Sequence, residues 1–202
     1  EFWSWFNDYC NEKGAQVAAA QGWANDGIGR YCYNVGEVWG SNNSIPDFFG
    51  TGMSNFNYAM GGSPSVGFAD ATVGWVGYKG SSVVNQLVDV QKSVLEKDEH
   101  AILSNFLSNH DNARSAGFFD YDALKIKKAA GLYLLAPGNP YIYYGEELGM
   151  GGSGKDENKR LAFNWGDGRT VGNPPNSDYE DESTSWKSQT TDYNSILTYY
   201  RN

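Results

Sequence analysis

The stretch FLSNHDNAR, residues 106–114, decides how the rest of the chain is read. With Ala101, Ile102 and Leu103 upstream, Phe106 and Leu107 make an apolar run of the length expected of a buried strand. Asn109, His110, Asp111 and Arg114 follow where that strand should end. A carboxylate, an imidazole and a guanidinium thus leave one strand mouth together. In parallel α/β sheets, open or closed, that C-terminal end is where catalytic and binding groups gather.

Outward from this strand, helical and extended patterns alternate. Upstream, Val84, Leu87, Val88, Gln91 and Leu95 recur at helical spacing across residues 83–97. Downstream, Leu124, Ala129, Leu132 and Leu135 predict a helix over 121–135 with those residues as its apolar face, broken by Pro137 and Pro140. Residues 141–145 read as a short strand, after which Glu146 and Glu147 should point to opposite faces of an extended segment and act as scaffold. Further upstream, residues 31–39 (YCYNVGEVW) read as a buried strand with Glu37 near its end, and the alternation at 55–60 reads as another. The chain opens with Phe2, Trp3, Phe6, Tyr9 and Cys10 at helical spacing over 2–12, a helix with one apolar face stopped by Gly14. Residues 16–29, 41–52, 61–82, 149–154 and 166–185 are Gly-, Ser- or Pro-rich and read as loops, and 193–201 as a closing helix. Strands alternating with helices imply a parallel sheet with right-handed crossovers.

Composition excludes several classes. A chain of 202 residues can bury one ordinary core, and 40% hydrophobic with 19% charged residues is globular rather than disordered. A formal net charge of −9 opposes nucleic acid, whose phosphates require a basic face, and opposes docking on anionic lipid. No apolar run reaches the roughly 20 residues a membrane-spanning helix needs, and no basic-then-apolar signal segment opens the chain. The start at Glu1 without Met is what a processed or trimmed product would show. Cys10 and Cys32 are too few for a disulfide framework and lack zinc-ligand spacing; one disulfide and two free, small buried thiols both satisfy the sequence. The aromatic share of 15% suits sugar stacking and core packing alike.

Three segments in order then carry a resemblance: GEVWG at 36–40, FLSNHDNAR at 106–114 and PGNPYIYYGEELGM at 137–150. They resemble successive signature segments of the α-amylase family, glycoside hydrolase family 13, and NKRLAFNW at 158–165 resembles the substrate-side loop after that family's eighth strand. The resemblance implies an α/β fold, the second half (strands 5–8) of a (β/α)8 TIM barrel with long βα loops. Residues 31–38, 55–60, 101–109 and 141–145 would be strands five to eight. The chain, residues 1–202, would run from the helix before strand five into the last helix, with no C-terminal β domain. A whole barrel takes about 250 residues, so the first four strands have no counterpart here.

Function follows from the same match. Retaining glycoside hydrolysis needs a carboxylic acid to protonate the leaving oxygen and a carboxylate nucleophile about 5–5.5 Å away. From the residues alone, Glu37 and Asp111 would take these roles, Glu37 kept protonated by an apolar setting. The resemblance divides them otherwise. Glu37 matches the general acid/base and Asp111 a carboxylate that binds substrate hydroxyls, while the nucleophile belongs to the end of strand four, absent from this sequence. The implied activity is hydrolysis of α-1,4-glucosidic bonds in starch-like glucans or maltooligosaccharides. A non-catalytic carbohydrate-binding or transport-accessory relative, and a glucan-transferring or isomerising enzyme, are the alternatives.

Around the two carboxylates, His110, Asn109, Arg114, Trp39, Arg160 and Asp156 are the candidate substrate-binding residues. Arg114 equally suits an ion pair with Asp111 or Asp120. Trp165, Phe163 and Tyr144 are stacking candidates that suit a core equally well. No metal site is expected in this chain, since the family's calcium ligands would fall largely in the missing half. The missing barrel half, or self-association through exposed sheet edges, is the expected partner. A polymeric glucan substrate points to a secreted or cell-surface protein.

Overall fold

A computed structural model describes residues 1–23, 32–39, 45–61, 67–69, 80–167 and 184–202. Tyr31, Gly40, most of the loops expected at 61–82 and 166–185, and part of those expected at 16–29 and 41–52 lie outside the described residues. The chain forms two compact units, residues 1–58 with 88–104, and residues 59–87 with 105–202.

In the first unit, β1 (Val35–Gly36) pairs in parallel with β2 (Ser54–Phe56), and β2 with β3 (Leu103–Asn105). Val35 lies opposite Ser54, and Asn55 opposite Leu103. All three are shorter than the patterns at 31–38, 55–60 and 101–109 suggest. Residues 103–108 are nonetheless continuously buried, as expected of a strand covered on both faces, whereas Ile102 is exposed. The segment at 32–39 is only half-buried, with Tyr33, Glu37 and Trp39 exposed, which corrects the expected buried strand. Gly36 is required by close approach. A Cβ there would lie 2.5 Å from both Asn55 Oδ1 and Met53 Cε.

Helix α1 (Phe2–Gln21) runs through the stop expected at Gly14 and takes in the first part of the expected loop at 16–29. One interior glycine costs only about 1 kcal/mol against alanine, and the Ala18–Ala20 run that follows is strongly helix-forming. The real stop is Gly22, left-handed at φ 65°, where the N–H groups of Gly22 and Trp23 close on the carbonyls of Ala19 and Ala18. Of the expected apolar face of α1, Phe2, Trp3 and Tyr9 are exposed and Phe6 and Cys10 half-buried. The helix is held instead by buried Asn7, which donates to Thr51 O at 3.0 Å and accepts from Asn34 Nδ2 at 2.5 Å. A short helix α2 (Pro46–Phe49) occupies part of the loop expected at 41–52, with Pro at its first position and Phe49 buried.

Helix α3 (Gly80–Leu95) overlaps the pattern at 83–97, but Val84, Val88 and Leu95 of that pattern are exposed. Val83 joins the core of the second unit, while Val90 and Val94 are buried in the first. In the second unit, the short helix α4 (Ser115–Phe118) is followed by α5 (Ala123–Leu134), which starts on Asp122, whose carboxylate accepts from the N–H groups of Leu124 and Lys125. The buried face of α5 is Ile126, Ala129, Ala130 and Tyr133. Of the expected face only Ala129 is buried; Leu124 and Leu135 are 76% and 86% exposed, because the true stripe is rotated by one to two residues. Ile126, Ala129 and Tyr133 pack with Met60, Phe68, Leu107 and Phe119. Each large member of that cluster contributes on the order of 1.5–3 kcal/mol by burial.

The fourth strand, β4 (Asn139–Pro140), sits just before the expected segment at 141–145. There Tyr141 N–H donates to Asn105 O at 2.7 Å, and Asn105 Nδ2 donates to Pro137 O at 2.9 Å. The strand order is β1-β2-β3-β4, each neighbour reached through an intervening helix. A 3₁₀ turn (Glu146–Leu148), α6 (Asp156–Lys159), α7 (Trp186–Gln189) and α8 (Ile196–Arg201) complete the second unit. The closing helix is shorter than the pattern at 193–201 and begins at a Ser195 cap.

Candidate active site

Two clusters of polar side chains stand at strand ends, one in each unit. In the first unit, Glu37 is the residue after β1 and is exposed, which corrects the apolar enclosure expected for it. Its carboxylate Oε1 accepts a hydrogen bond of 2.5 Å from Tyr58 Oη. Trp39 stacks on the Tyr58 ring, with centroids 5.2 Å apart and planes 19° from parallel. Tyr58 is therefore a site residue that the sequence reading missed. In the sequence Tyr58 is one aromatic within the strand pattern at 55–60, and only the shorter β2 places it beyond a strand end.

In the second unit, the chain leaves β3 into a tight polar loop. Asn109 Oδ1 accepts from the backbone N–H groups of Asp111 and Asn112, at 3.0 and 2.9 Å, and from Asn112 Nδ2 at 2.8 Å. This side chain-to-backbone turn sets the direction in which His110 and Asp111 project. Asp111 is then held from both oxygens, by Arg160 at 3.1 Å on Oδ1 and by His110 Nε2 at 3.3 Å on Oδ2. Lys159 Nζ donates to Asp111 O at 2.8 Å and pairs with Asp156 at 3.1 Å, and Arg160 also reaches Asp156 at 3.6 Å. The Lys159 ammonium, with Arg160 behind it, holds the Asp156 carboxyl below its ordinary range. His110, Asp111, Asp156 and Arg160 are thus brought together as one charged cluster. Lys159 is the member the sequence reading left out.

Arg114 stands elsewhere. Neither ion pair expected for it forms, since Asp111 pairs with Arg160 and Asp120 with Lys125. Arg114 is 2% exposed, and its guanidinium carbon lies 4.6 and 4.7 Å from the ring centres of Tyr143 and Tyr144. One nitrogen donates to Tyr144 O at 2.7 Å. The backbone turns it inward, because Arg114 N–H bonds Gly152 O at 2.9 Å. Tyr143 and Tyr144 are in turn fixed through their hydroxyls on the carbonyls of Lys159 and Leu161, so Arg114 supports the segment that carries Arg160.

Behind the loop lies a second carboxylate. Glu146 and Glu147 open a 3₁₀ turn rather than an extended segment, and Glu146 is 3% exposed. Its Oε2 accepts from Ser108 Oγ at 2.9 Å and its Oε1 from Tyr133 Oη and Tyr200 Oη at 2.8 and 3.2 Å. Burial pushes the Glu146 carboxyl up to about 7, against the opposing pull of these three hydroxyl donors. Glu147 is also raised by burial, with Arg114 among the groups opposing the shift. Glu146 is thus enclosed by side chains of its own unit, and the extended segment expected for the pair does not form. Trp165 is 54% exposed and packs on Phe163 and Trp186, at 4.6 and 6.2 Å between ring centres, an aromatic surface to which the sequence reading had not assigned Trp186. Cys10 and Cys32 are free and half-buried.

Four parallel strands joined by helices, with acids and aromatics at their ends, are the arrangement of part of a (β/α) barrel. The family described as alpha amylase, catalytic domain, matches residues 6–201, and the chain belongs to that family, glycoside hydrolase family 13. The chain is 33% identical over 136 residues to Alpha-amylase 3 of Dictyoglomus thermophilum, a match covering 67% of this chain and 26% of that protein. It is 34% identical over 86 residues to a 4-alpha-glucanotransferase of Thermotoga maritima, covering 41% of this chain and 19% of that protein. Among solved structures, Eubacterium rectale Amy13B superposes with a TM-score of 0.76 at 32% identity, over 84% of this chain and 34% of that one. The chain therefore spans about a quarter to a third of the length of these two amylase relatives. Its fold is that of part of an α-amylase (β/α)8 barrel.

Proposed function

We propose that the protein containing this chain cleaves α-1,4-glucosidic bonds of starch-like glucans or maltooligosaccharides with retention of configuration. In this reading β1 to β4 are the fifth to eighth strands of the barrel. Glu37 is the general acid/base, and Asp111 binds substrate hydroxyls with His110, Arg160 and Asp156 around it. The nucleophile comes from a fourth-strand aspartate with no counterpart in these 202 residues. The observation that carries the reading is the placement of Glu37 one residue beyond β1, exposed, with the Tyr58 hydroxyl on one of its oxygens. An acid so placed can pass its proton to a leaving glycosidic oxygen and take it back from water.

Asp111 suits the other role. Arg160 and His110 hold both of its oxygens, which favours a fixed hydrogen-bond acceptor over a group that forms a covalent bond. The same neighbours oppose a metal at this cluster, because Lys159 and Arg160 already neutralise Asp111 and Asp156. Any calcium in the complete protein would draw its ligands from elsewhere. Among the described residues no helix is long and apolar enough to cross a membrane, and a polymeric glucan substrate fits a secreted or cell-surface location.

Replacing Glu37 with Gln in the complete enzyme tests the reading. Turnover of maltoheptaose should fall by about 10²–10⁴-fold, and near-normal turnover would overturn the assignment. Residues 1–202 alone should show no retaining hydrolysis and should self-associate; activity from this chain by itself would show that its nucleophile lies within it. The match to a 4-alpha-glucanotransferase supports a second reading, in which a sugar hydroxyl replaces water as acceptor. Chromatography of the products separates the two, since transfer yields chains longer than the substrate.

A further inference from the structure

Cys10 and Cys32 are the two cysteines of the chain and take no part in the chemistry assigned above. Both lie in the first unit. Cys10 sits in the third turn of α1, and Cys32 three residues ahead of β1. Polar contacts hold these two segments against each other. Cys32 N–H donates to Asn11 Oδ1 at 3.1 Å, and Asn34 Nδ2 bridges Asn7 Oδ1 at 2.5 Å and Cys32 Sγ at 3.3 Å. Asn7 and Cys10 are three residues apart on α1 and so share one helix face, the face that meets Cys32. Cys32 thus lies against the stretch of α1 between Asn7 and Asn11 that carries Cys10, and burial, with the Cys32 thiol as its neighbour, pushes the Cys10 thiol up. Both residues remain half-buried and reachable by a small reagent.

We propose that Cys10 and Cys32 close an intramolecular disulfide that ties the third turn of α1 to the segment leading into β1 and Glu37. The oxidant is an external disulfide, either a small one such as oxidised glutathione or the active bond of a thiol–disulfide oxidoreductase. One cysteine thiolate attacks a sulfur of that bond, forming a mixed disulfide and releasing the first external thiolate. The second cysteine then attacks the protein-bound sulfur of the mixed disulfide and releases the other. The two protein thiols are oxidised by two electrons, the external disulfide is reduced to two thiols, and the two protons lost from the cysteines end on the leaving groups. Roughly twenty residues lie between the two cysteines, so the bond removes freedom from the unfolded chain and steadies the backbone five residues upstream of Glu37.

Peptide mapping of the full-length protein tests this. The protein is equilibrated with excess oxidised glutathione, denatured, alkylated with iodoacetamide and digested. The expected product is one peptide pair joined through Cys10 and Cys32, lighter by two hydrogens than the reduced pair. In the Cys10→Ser variant, Cys32 should appear instead as the alkylated thiol or its glutathione adduct. Alkylation of both cysteines in the unsubstituted protein, glutathione adducts on both, or a bond from either one to another chain would overturn the proposal. The readout does not involve glucan turnover, so failure of the hydrolase reading would leave its result intact.

Discussion

The end of β1 and the end of β3 both present a carboxylate, yet they are built in opposite ways. Glu37 is exposed and, among the described residues, accepts a hydrogen bond from the Tyr58 hydroxyl. Asp111 is gripped on both oxygens, its loop is stapled by Asn109, and a buried carboxylate, Glu146, anchors Ser108 directly upstream. An acid that must give and regain a proton benefits from an open lone pair and access to solvent. A residue that must hold a sugar hydroxyl in one place benefits from rigidity, because a misplaced partner loses orientation. The contrast teaches that two acids at equivalent strand ends can be told apart by how many groups hold them.

The comparison is open to attack in order of expected effect. Glu37→Gln should give the largest loss, about 10²–10⁴-fold in kcat, and a smaller loss than at Asp111 would reverse the assignment of roles. Next comes the buried anchor of the β3 loop. With its carboxyl raised to about 7 from 4.5, folded Glu146 holds its proton where the unfolded chain would release it. That stabilisation is fully present below about pH 4.5 and is lost as pH rises to about 7, roughly 3 kcal/mol in all. Urea unfolding at pH 5 and pH 8 should therefore show a drop that Glu146→Gln flattens; parallel pH profiles would place the titration elsewhere.

Smaller effects refine the contrast. Asp111→Asn keeps the shape and removes the charge that Arg160 and His110 hold. Its kcat/KM on maltoheptaose should fall by about 10- to 100-fold, the scale of one charged hydrogen bond, and a loss carried wholly in kcat would argue against a binding role. Tyr58→Phe removes the Tyr58 hydroxyl from Glu37 while keeping the ring under Trp39. It should cost about 3- to 10-fold in kcat and move the acidic or basic limb of the pH–rate profile, whereas unchanged kinetics would make Tyr58 a spectator.

Much of the candidate site was legible in the sequence because it is local. Glu37 within GEVWG, and His110 with Asp111 at the end of an apolar run, are separated by few residues from the strands that position them. Asp156 and Arg160 were found through the family resemblance, and the structure brings both to the Asp111 cluster. What escaped is long-range. Tyr58 reaches Glu37 across 21 residues, and Tyr200 reaches Glu146 across 54. No periodicity encodes such pairs. Arg114 shows the same limit from the other side, since its neighbours in sequence suggested Asp111 or Asp120, and packing against Tyr143 and Tyr144 decided otherwise.

The element errors share a cause. Gly14 carries a local helix penalty of about 1 kcal/mol, too small to stop a helix followed by alanines and tied down through Asn7. On α5, apolar residues outnumber the positions the core can take, so periodicity alone marked Leu124 and Leu135 while the partners at Met60, Phe68 and Leu107 selected Ile126 and Tyr133. By itself, then, the sequence determined the alternating plan and the acids that follow its strands, because each rests on spacing within a few residues. Only the tertiary structure decided which acid is open and which is clamped, which helix face is buried and that the segment carrying Cys32 docks on α1, because each depends on groups brought together from far along the chain.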